Sequence, residues 1–519
     1  MKTVQDYLDE VPAWPDGTPS KNTPLTQMQL RIFWLACAGK FFEGLVVFMT
    51  GVALPLIAQE FGLVAADKGF VTAASLAGIL VGASALGGLA DQLGRKPLFV
   101  AEMGIFALFL VALTLAPNFL ILIVCLFGAG VALGCDYPTA HIVISESIPT
   151  RARGRSVLTA FAFQAVGAFV GTAVGFVILL ENPHVEAWRW MYATAIIPAI
   201  LVTLGRFFVT ESPHWLVSHH RLPEAEKETL RILKRQPEYP RLVKLTNPHE
   251  GRRNSANHYG VLFQERNVRA TILASVPWFL QDLGTYGIGI FTPTVLAVMI
   301  GANTPGDGLS AAIHNDMLGA RGSAIMDIFF FIGIIAAILL VEKVGRIRLQ
   351  IVGFIGCAVG LLMAGLSFRS DGSNNMILLF VGFLTFYFMT NLGPNAMTYL
   401  LAGEVFPTPI RGRGAGFAAS FAKLGAVLTA FFFPILLHTI GTATLLYVLV
   451  GTSILGAGVT WIFAIETKGL NLESLEARTT AQIHSKENPM AHQTKQELPL
   501  GTRLNVPISP RQNEVDPST

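Results

Sequence analysis

The sequence predicts an all-α integral membrane protein with twelve transmembrane helices in two pseudo-symmetric six-helix halves. Three observations carry that expectation. Of the 519 residues, 52% are hydrophobic and only 14% charged, against about 25% charged in a soluble domain. Twelve apolar stretches are long enough to cross a bilayer, which takes about 20 residues each. Short polar motifs in the first half of the chain recur in the second at a constant offset. Lys+Arg 37 minus Asp+Glu 34 leaves a net charge of +3. That balance gives no reason to expect nucleic acid as a partner.

The expected spans, numbered 1 to 12, are 31–58, 69–90, 98–116, 119–145, 156–180 and 188–209, then 271–299, 322–342, 349–368, 376–403, 415–439 and 444–465. They divide the chain into an N-terminal segment (1–30), a first half (31–209), a central polar segment (210–269), a second half (270–466) and a tail (467–519). The central segment carries EAEKETLRILKRQ, an amphipathic pattern expected to lie on the membrane surface. The Pro-, Gln- and Ser-rich tail is expected to be disordered. The polar N-terminus has no apolar run of the signal-peptide kind. Cys37, Cys125, Cys135 and Cys357 lie unpaired in apolar stretches and read as small core residues. No metal cluster, phosphate-binding loop or Ser/His/Asp set stands out, so neither an enzyme nor a cofactor is expected.

Short loops on one side hold Arg95, Lys96, Arg151, Arg153, Arg155, Lys343, Arg346, Arg348, Arg411 and Arg413; the opposite set holds little beyond Lys68, Arg321 and Arg369. The positive-inside rule makes the first side cytoplasmic, and an even span count puts both termini there too. A monomer in a plasma (inner) membrane is expected.

The repeat is specific. GGLADQLGRK (87–96) answers VEKVGRIR (341–348), SESIPTRARGR (145–155) answers GEVFPTPIRGRG (403–414), and TESPHWL (210–216) answers IETKGL (465–470), all at offsets of about 255 residues. In these motifs Asp91, Gly94, Arg95 and Lys96 form a tight turn, and Glu146 with Arg155 and Glu404 with Arg411 read as matching ion pairs. Such pairs would hold the cytoplasmic side closed and break as it opens.

Ionisable residues inside a span cost about 2.5–3.5 kcal/mol each on insertion scales and are functional candidates by default. Lys40, Glu43, Asp136, Asp282, Asp327 and Lys423 stand out. Glu102 lies near the end of span 3, within reach of headgroups, and Asp327 near the outer end of span 8, within reach of water. Trp278, Asp282 and Tyr286, spaced by four, share one face of span 7. Asp136-Tyr137-Pro138 lies in span 4, where the proline loosens the helix. Gln164 and Asn395 are strong polar groups at mid-depth in spans 5 and 10. Internal repeats with a polar site between them at the midplane are a transporter architecture.

With these motifs the chain resembles the major facilitator superfamily across its membrane region, and within it the sugar-porter-like branch, through GRK, SE…RGR, ESPHWL and ETKG. It is most similar to the phosphate:proton symporters, through DYP at 136–138, W-x3-D-x3-Y at 278–286 and GPN at 393–395. The resemblance implies a proton-coupled symporter working by alternating access. Its substrate, most readily inorganic phosphate, would be touched by Tyr137, Gln164, Trp278, Asp282, Tyr286 and Asn395. It implies proton coupling through Glu43, Asp136, Asp282 and Lys423, with Glu43 replacing the family's Asp and Lys40 as an extra cation. Val46 stands where the family has a second Asp, and Leu126 where it has an Arg, which leaves no arginine expected in the cavity. A sugar or a carboxylate is the alternative substrate, and a non-transporting membrane sensor the alternative class; the paired Gln of sugar porters is missing from span 7, where WFLQDLGTYG stands.

Overall fold

The computed structural model describes residues 2–10, 24–86, 92–235, 240, 242–245, 259–301, 309–368, 375–407 and 410–468. Among these the architecture is all-helical; the one extended pairing is an isolated bridge between Lys2 and Leu245. The tail from 471 and Asp91 fall outside the described residues.

A short helix α1 (Val4–Asp9) precedes the first half. That half comprises α2 (Gln27–Phe61), α3 (Ala65–Val81, continued by a π turn Gly82–Leu86), α4 (Arg95–Thr114), α5 (Phe119–Ser147), α6 (Thr150–Glu181) and α7 (Ala187–Phe207). The central segment folds as α8 (Pro213–Ser218) and α9 (Leu222–Leu233). The second half comprises α10 (Glu265–Gly301), α11 (Leu309–Val344), α12 (Arg346–Leu366), α13 (Met376–Leu392) with α14 (Pro394–Glu404), α15 (Arg411–Ile440) and α16 (Thr442–Ile462). Eleven of the described helical stretches are long and apolar enough to cross a membrane. The twelfth crossing, α10, is 37 residues long and carries Gln281, Asp282 and Thr285 in its middle. The helices run further than the hydropathy minimum: α2, at 35 residues, is about 52 Å long.

One of the proline-bearing crossings is not an uninterrupted rod. Span 10 is broken at Gly393 (φ −117°, ψ −92°), and Pro394 opens α14, a position that needs no amide proton. Asn395 therefore stands at the break. Span 4, by contrast, runs through Pro138 as one helix.

The halves meet along α3 with α15, α6 with α11, and α2 with α10. The polar N-terminal segment is built into the fold. The Thr3 amide donates to the Asp6 carboxylate at 2.8 Å and the Thr3 hydroxyl accepts from the Asp6 amide at 3.2 Å, which closes a capping box; the hydrogen bonds from Thr3 hold that acid below its ordinary pKa. Helix α6 has no cap of its own at Pro149. Asp9 supplies one from α1, with Oδ1 accepting from the Thr150 amide at 2.7 Å and Oδ2 from the Thr150 hydroxyl at 2.8 Å. Arg153 donates to Gln5 at 2.9 Å beside it. The amphipathic α9 does not lie on lipid as its pattern suggested. Its Ala225, Ile232 and Leu233 are covered by Val4, Leu8, Trp215, Leu216, Val243 and Leu245. Protein offers that apolar stripe a closer-packed partner than the headgroup layer would.

An Asp9→Ala substitution should free α1 from α6 at a cost of about 1 kcal/mol, the worth of a cap. Limited proteolysis of purified protein should cut within the first 26 residues faster in the variant; an unchanged rate would show that the cap does not hold the segment.

Candidate functional site

The buried charges of spans 1, 7 and 11 meet between the halves. Glu43 of α2 places Oε2 2.5 Å from Lys40 Nζ, one helical turn earlier, and Oε1 3.2 Å from Lys423 Nζ of α15. Lys423 also lies 3.5 Å from Asp282 Oδ2 of α10. The Tyr286 hydroxyl joins them, donating to Glu43 Oε1 at 2.9 Å and accepting from Lys423 and, at 2.9 Å, from Gln164 Nε2 of α6. Every member is at most 8% exposed. Two lysines and two carboxylates sum to zero formal charge, the condition under which ions are tolerated out of water.

Among the residues expected to touch a substrate, Gln164, Asp282 and Tyr286 thus form one network. Asn395 belongs to a neighbouring amide network inside the second half. It accepts from Gln281 Nε2 at 3.0 Å and donates to Asn391 Oδ1 at 2.6 Å, while Gln281 also donates to Thr285 and Asn391 to the carbonyl of Phe330. Trp278 is buried edge-on to Tyr399, with ring centroids 6.1 Å apart. Tyr399 of α14 also stacks on Phe161 of α6 at 4.5 Å and meets His141 at 6.4 Å. Sequence reasoning passed over Tyr399, whose signal was its place one turn after Asn395. The side chain of Tyr137 lies outside the described residues.

Asp136 has a different partner. Arg206 of α7, fully buried, sets Nη1 2.6 Å from Asp136 Oδ1 and 3.2 Å from Glu102 Oε1. It also donates to the carbonyls of Phe99 and Leu35 and lies over the Phe99 ring at 3.6 Å. This corrects two expectations. Glu102 does not reach headgroups, being 2% exposed. The charge balance for span 4 is an arginine after all, delivered by span 6 where Leu126 offered none. Gly39 makes room for the acid, since a Cβ there would fall 1.4 Å from Asp136 Oδ2. Asp327 is also corrected: it is fully buried, not near water, and bonds Thr172 Oγ1 at 2.8 Å.

The repeated motifs build two copies of one clamp. In the first half Arg95 reaches Glu146 through Nε at 3.4 Å and Nη2 at 3.3 Å, Ser212 donates to the same carboxylate, and Glu211 accepts from the amides of Arg95 and Lys96. In the second, Arg346 reaches Glu404 at 3.2 and 3.3 Å, Thr467 donates to it, and Glu466 accepts from the amides of Arg346 and Ile347. The turns before them match too, with Gly94 at φ 100° and Gly345 at φ 101°, backbone that only glycine adopts freely. The expected pairing is therefore revised. Glu146 joins Arg95, while Arg155 is exposed, and the arginine on Glu404 is Arg346, while Arg411 Nε donates to the Phe406 carbonyl at 3.2 Å. Each clamp lies within one half, because spans 3 and 4, or 9 and 10, are neighbours there.

The contacts that do cross between halves lie above and below the central cluster. Towards the motif face, Tyr399 closes on Phe161. Towards the far face stand Thr172 with Asp327, Thr72 Oγ1 with the Ala430 carbonyl at 2.7 Å, and Phe48 against Phe330 at 6.0 Å. A cavity of about 20 Å³, lined by Lys40, Glu43, Asp136, His141, Phe161 and Tyr399 among others, adjoins the cluster. It has room for about one water and none for a metabolite.

Arg206→Leu should leave Asp136 and Glu102 as unpaired buried acids and cost about 3–5 kcal/mol. Thermal stability of the detergent-purified protein should fall sharply, and recover in the triple variant Arg206→Leu, Asp136→Asn, Glu102→Gln. No recovery would mean that the arginine acts through something other than its charge.

Residues 32–478 match the model of the family described as sugar (and other) transporter. The inner membrane metabolite transport protein YgcS of Escherichia coli is 30% identical over 470 residues, covering 89% of this chain and 97% of that one. The major myo-inositol transporter IolT of Bacillus subtilis is 29% identical over 468 residues, covering 86% and 93%. Among solved structures, the partially occluded inward-open conformation of the xylose transporter XylE from E. coli superimposes with a TM-score of 0.69 at 18% identity, covering 86% of this chain and all of that one. These similarities favour the sugar-transporter branch over the phosphate symporters suggested by DYP, W-x3-D-x3-Y and GPN. The chain is a multi-pass membrane protein with the major facilitator fold, is not an enzyme, and belongs to the sugar (and other) transporter family.

Proposed function

We propose that the protein is a proton-coupled symporter that moves a small polar metabolite of the sugar or polyol class by alternating access. The observation that carries this reading is the charge-neutral cluster of Lys40, Glu43, Asp282 and Lys423 joining the two halves. Phosphate, partly a dianion at neutral pH, would need more positive charge than the cluster supplies even with Glu43 protonated. An uncharged polyhydroxy solute asks only for donors and acceptors, which Gln164, Tyr286, Asn395 and Gln281 offer. Relatives support the class: IolT is described as a myo-inositol transporter, and XylE as a proton:xylose symporter.

A proton arriving on Glu43 removes the carboxylate that Lys40 and Lys423 share. Lys423 then keeps only Asp282, on its own half, and the ionic tie between halves is lost. Solute hydroxyls replace the lost partners of Tyr286 and Gln164, so proton and solute enter together. Tyr137, Gln164, Trp278, Asp282, Tyr286 and Asn395 are proposed to face the solute. Glu43, Asp282 and Lys423 are proposed to carry the coupling, with Asp136 held in the scaffold by Arg206. The motif face and both termini are proposed to be cytoplasmic, in an inner membrane. The motif clamps, with Gly94 and Lys96 at the turn of the first, would keep each half rigid while the two rock.

A carboxylate substrate is the second reading, favoured by the two lysines. With Glu43 protonated, the cluster carries one net positive charge, enough for a monoanion.

Uptake into proteoliposomes, with and without a protonophore, should be screened over myo-inositol, pentoses, hexoses, monocarboxylates and phosphate. A polyol or sugar should accumulate only while the proton gradient stands. Uptake of phosphate alone would overturn the substrate class, and no uptake of any solute would favour a sensor.

Glu43→Gln and Asp282→Asn should each abolish accumulation against a gradient. Glu43→Gln should keep counterflow exchange, because its neutral amide mimics the protonated acid. Coupled uptake at the wild-type level in either variant would remove that residue from the coupling.

A further inference from the structure

Asp327 of α11 is a buried acid that the central cluster does not use. It is 0% exposed, and among the described residues no lysine, arginine or histidine forms an ion pair with it. Its Oδ2 meets Thr172 Oγ1 at 2.8 Å, and its Oδ1 has no hydrogen-bond partner. Thr172 has a single hydroxyl proton, and its Oγ1 also lies 3.1 Å from the carbonyls of Ala168 and Phe169, which can only accept. If that proton goes to a carbonyl, the hydrogen between Thr172 and Asp327 must come from the acid. A carboxylate in that place would be an uncompensated ion in a low-dielectric interior.

The groups around it offer no charge to offset. Helix α6 presents Thr172. Helix α13 presents Tyr387, whose hydroxyl donates to Thr292 of α10 at 3.1 Å, and Asn391, whose amide is spent on the Phe330 carbonyl. Helix α2 presents Phe48, its own acid and lysine being engaged in the central cluster and Glu60 tied to Arg189 at 2.6 Å. The arginines of α12, Arg346 and Arg348, stand at the motif face, Asp282 of α10 is held by Lys423, and Arg321 on α11 itself is exposed.

Position gives the pair its meaning. Thr172 is eight residues beyond Gln164 on α6, about 12 Å further from the motif face. The bond joins one half to the other, so it exists only while α6 and α11 are packed together there. Parting them would admit water to the carboxyl.

We propose that Asp327 is a second proton-binding site, filled while the halves are closed on the far side and emptied to water as they open there. In the closed state the O–H bond stays on the acid and donates to Thr172. On opening that hydrogen bond breaks, the proton passes to water, and the carboxylate left behind opposes reclosure until it is protonated again. The transporter would thereby bind a proton in step with a gate, apart from the one on Glu43. This deepens the symport reading, and its test is read without any substrate.

The full-length protein in lipid nanodiscs should be titrated from acid to alkaline pH and followed in two ways. Infrared difference spectra of wild type against Asp327→Asn should show a protonated-carboxyl stretch in the wild type that the variant loses. Spin labels on Glu181→Cys and Asn315→Cys, at the far ends of α6 and α11, should move apart as pH rises in the wild type and hold a pH-independent distance with Asp327→Asn. Where Asp327→Asn does not fold, Asp327→Glu should keep the titration, and Thr172→Val should shift the carboxyl band. A band that ignores substitution of Asp327 or Thr172, or a pH response identical in all variants, would overturn the proposal. Uptake that ignores a protonophore while the band and the distances behave as expected would instead overturn the symport reading alone.

Discussion

Lys423 is shared by two acids from different halves, and on that sharing the rest of the molecule turns. An ammonium group buried to 6% exposure needs a counter-charge. Asp282 lies beside it in the second half, but Glu43 reaches it only across the interface. The same few ångströms that neutralise a charge therefore also set how close two six-helix bodies stand. Tyr286 and Gln164 strengthen the tie by bonding to one another and to Glu43. On the coupling proposed above, protonation of one carboxyl oxygen would be converted into a rigid-body displacement.

Rigid bodies are required for that conversion, and the duplicated clamps supply them. Arg95 with Glu146 and Arg346 with Glu404 occupy equivalent places, each with a hydroxyl and a second glutamate completing the arrangement. Both glutamates that accept backbone amides, Glu211 and Glu466, sit at the N-terminal ends of helices, where the positive end of the helix dipole favours a carboxylate. In the proposed cycle, a half held this way at its motif end would rotate as a body when the interface loosens. Asp9, capping α6 from the N-terminal helix, adds a further tie at the same end of the first half.

The fold was legible because hydropathy is a local property and the duplication left the same words twice. The amide and carboxyl members of the central cluster were legible for a related reason: a polar side chain in a lipid-length apolar run has few structural excuses. What stayed hidden was pairing. Arg206 lies near the end of span 6, where an arginine ordinarily faces headgroups, and nothing local ties it to Asp136, 70 residues earlier. The clamp was misread similarly. Glu146 and Arg155 share a motif, but α6 carries Arg155 outward, while the chain returns Arg95 to the acid. Asp327 looked wet because hydropathy starts span 8 at 322, whereas the helix begins at Leu309 and buries it. The broken span 10 was written in GPN, yet a proline inside a span does not by itself announce a break, as the unbroken helix through Pro138 shows.

Comparing the three buried acid sites separates scaffold from machine. Asp136 and Glu102 meet an arginine from their own half, so their ion pairs survive any relative motion of the halves and can only stabilise. Glu43 meets one lysine from its own half and one from the other, so its partners would change if the halves moved apart. Asp327 meets a neutral hydroxyl from the other half and, among the described residues, no cation, so on our proposal its ionisation is suppressed while the halves are closed there and released as they open. Burial alone would rank the three alike. It is the provenance of the partner, same half or opposite half, that decides whether a costly intramembrane charge is a rivet or a switch.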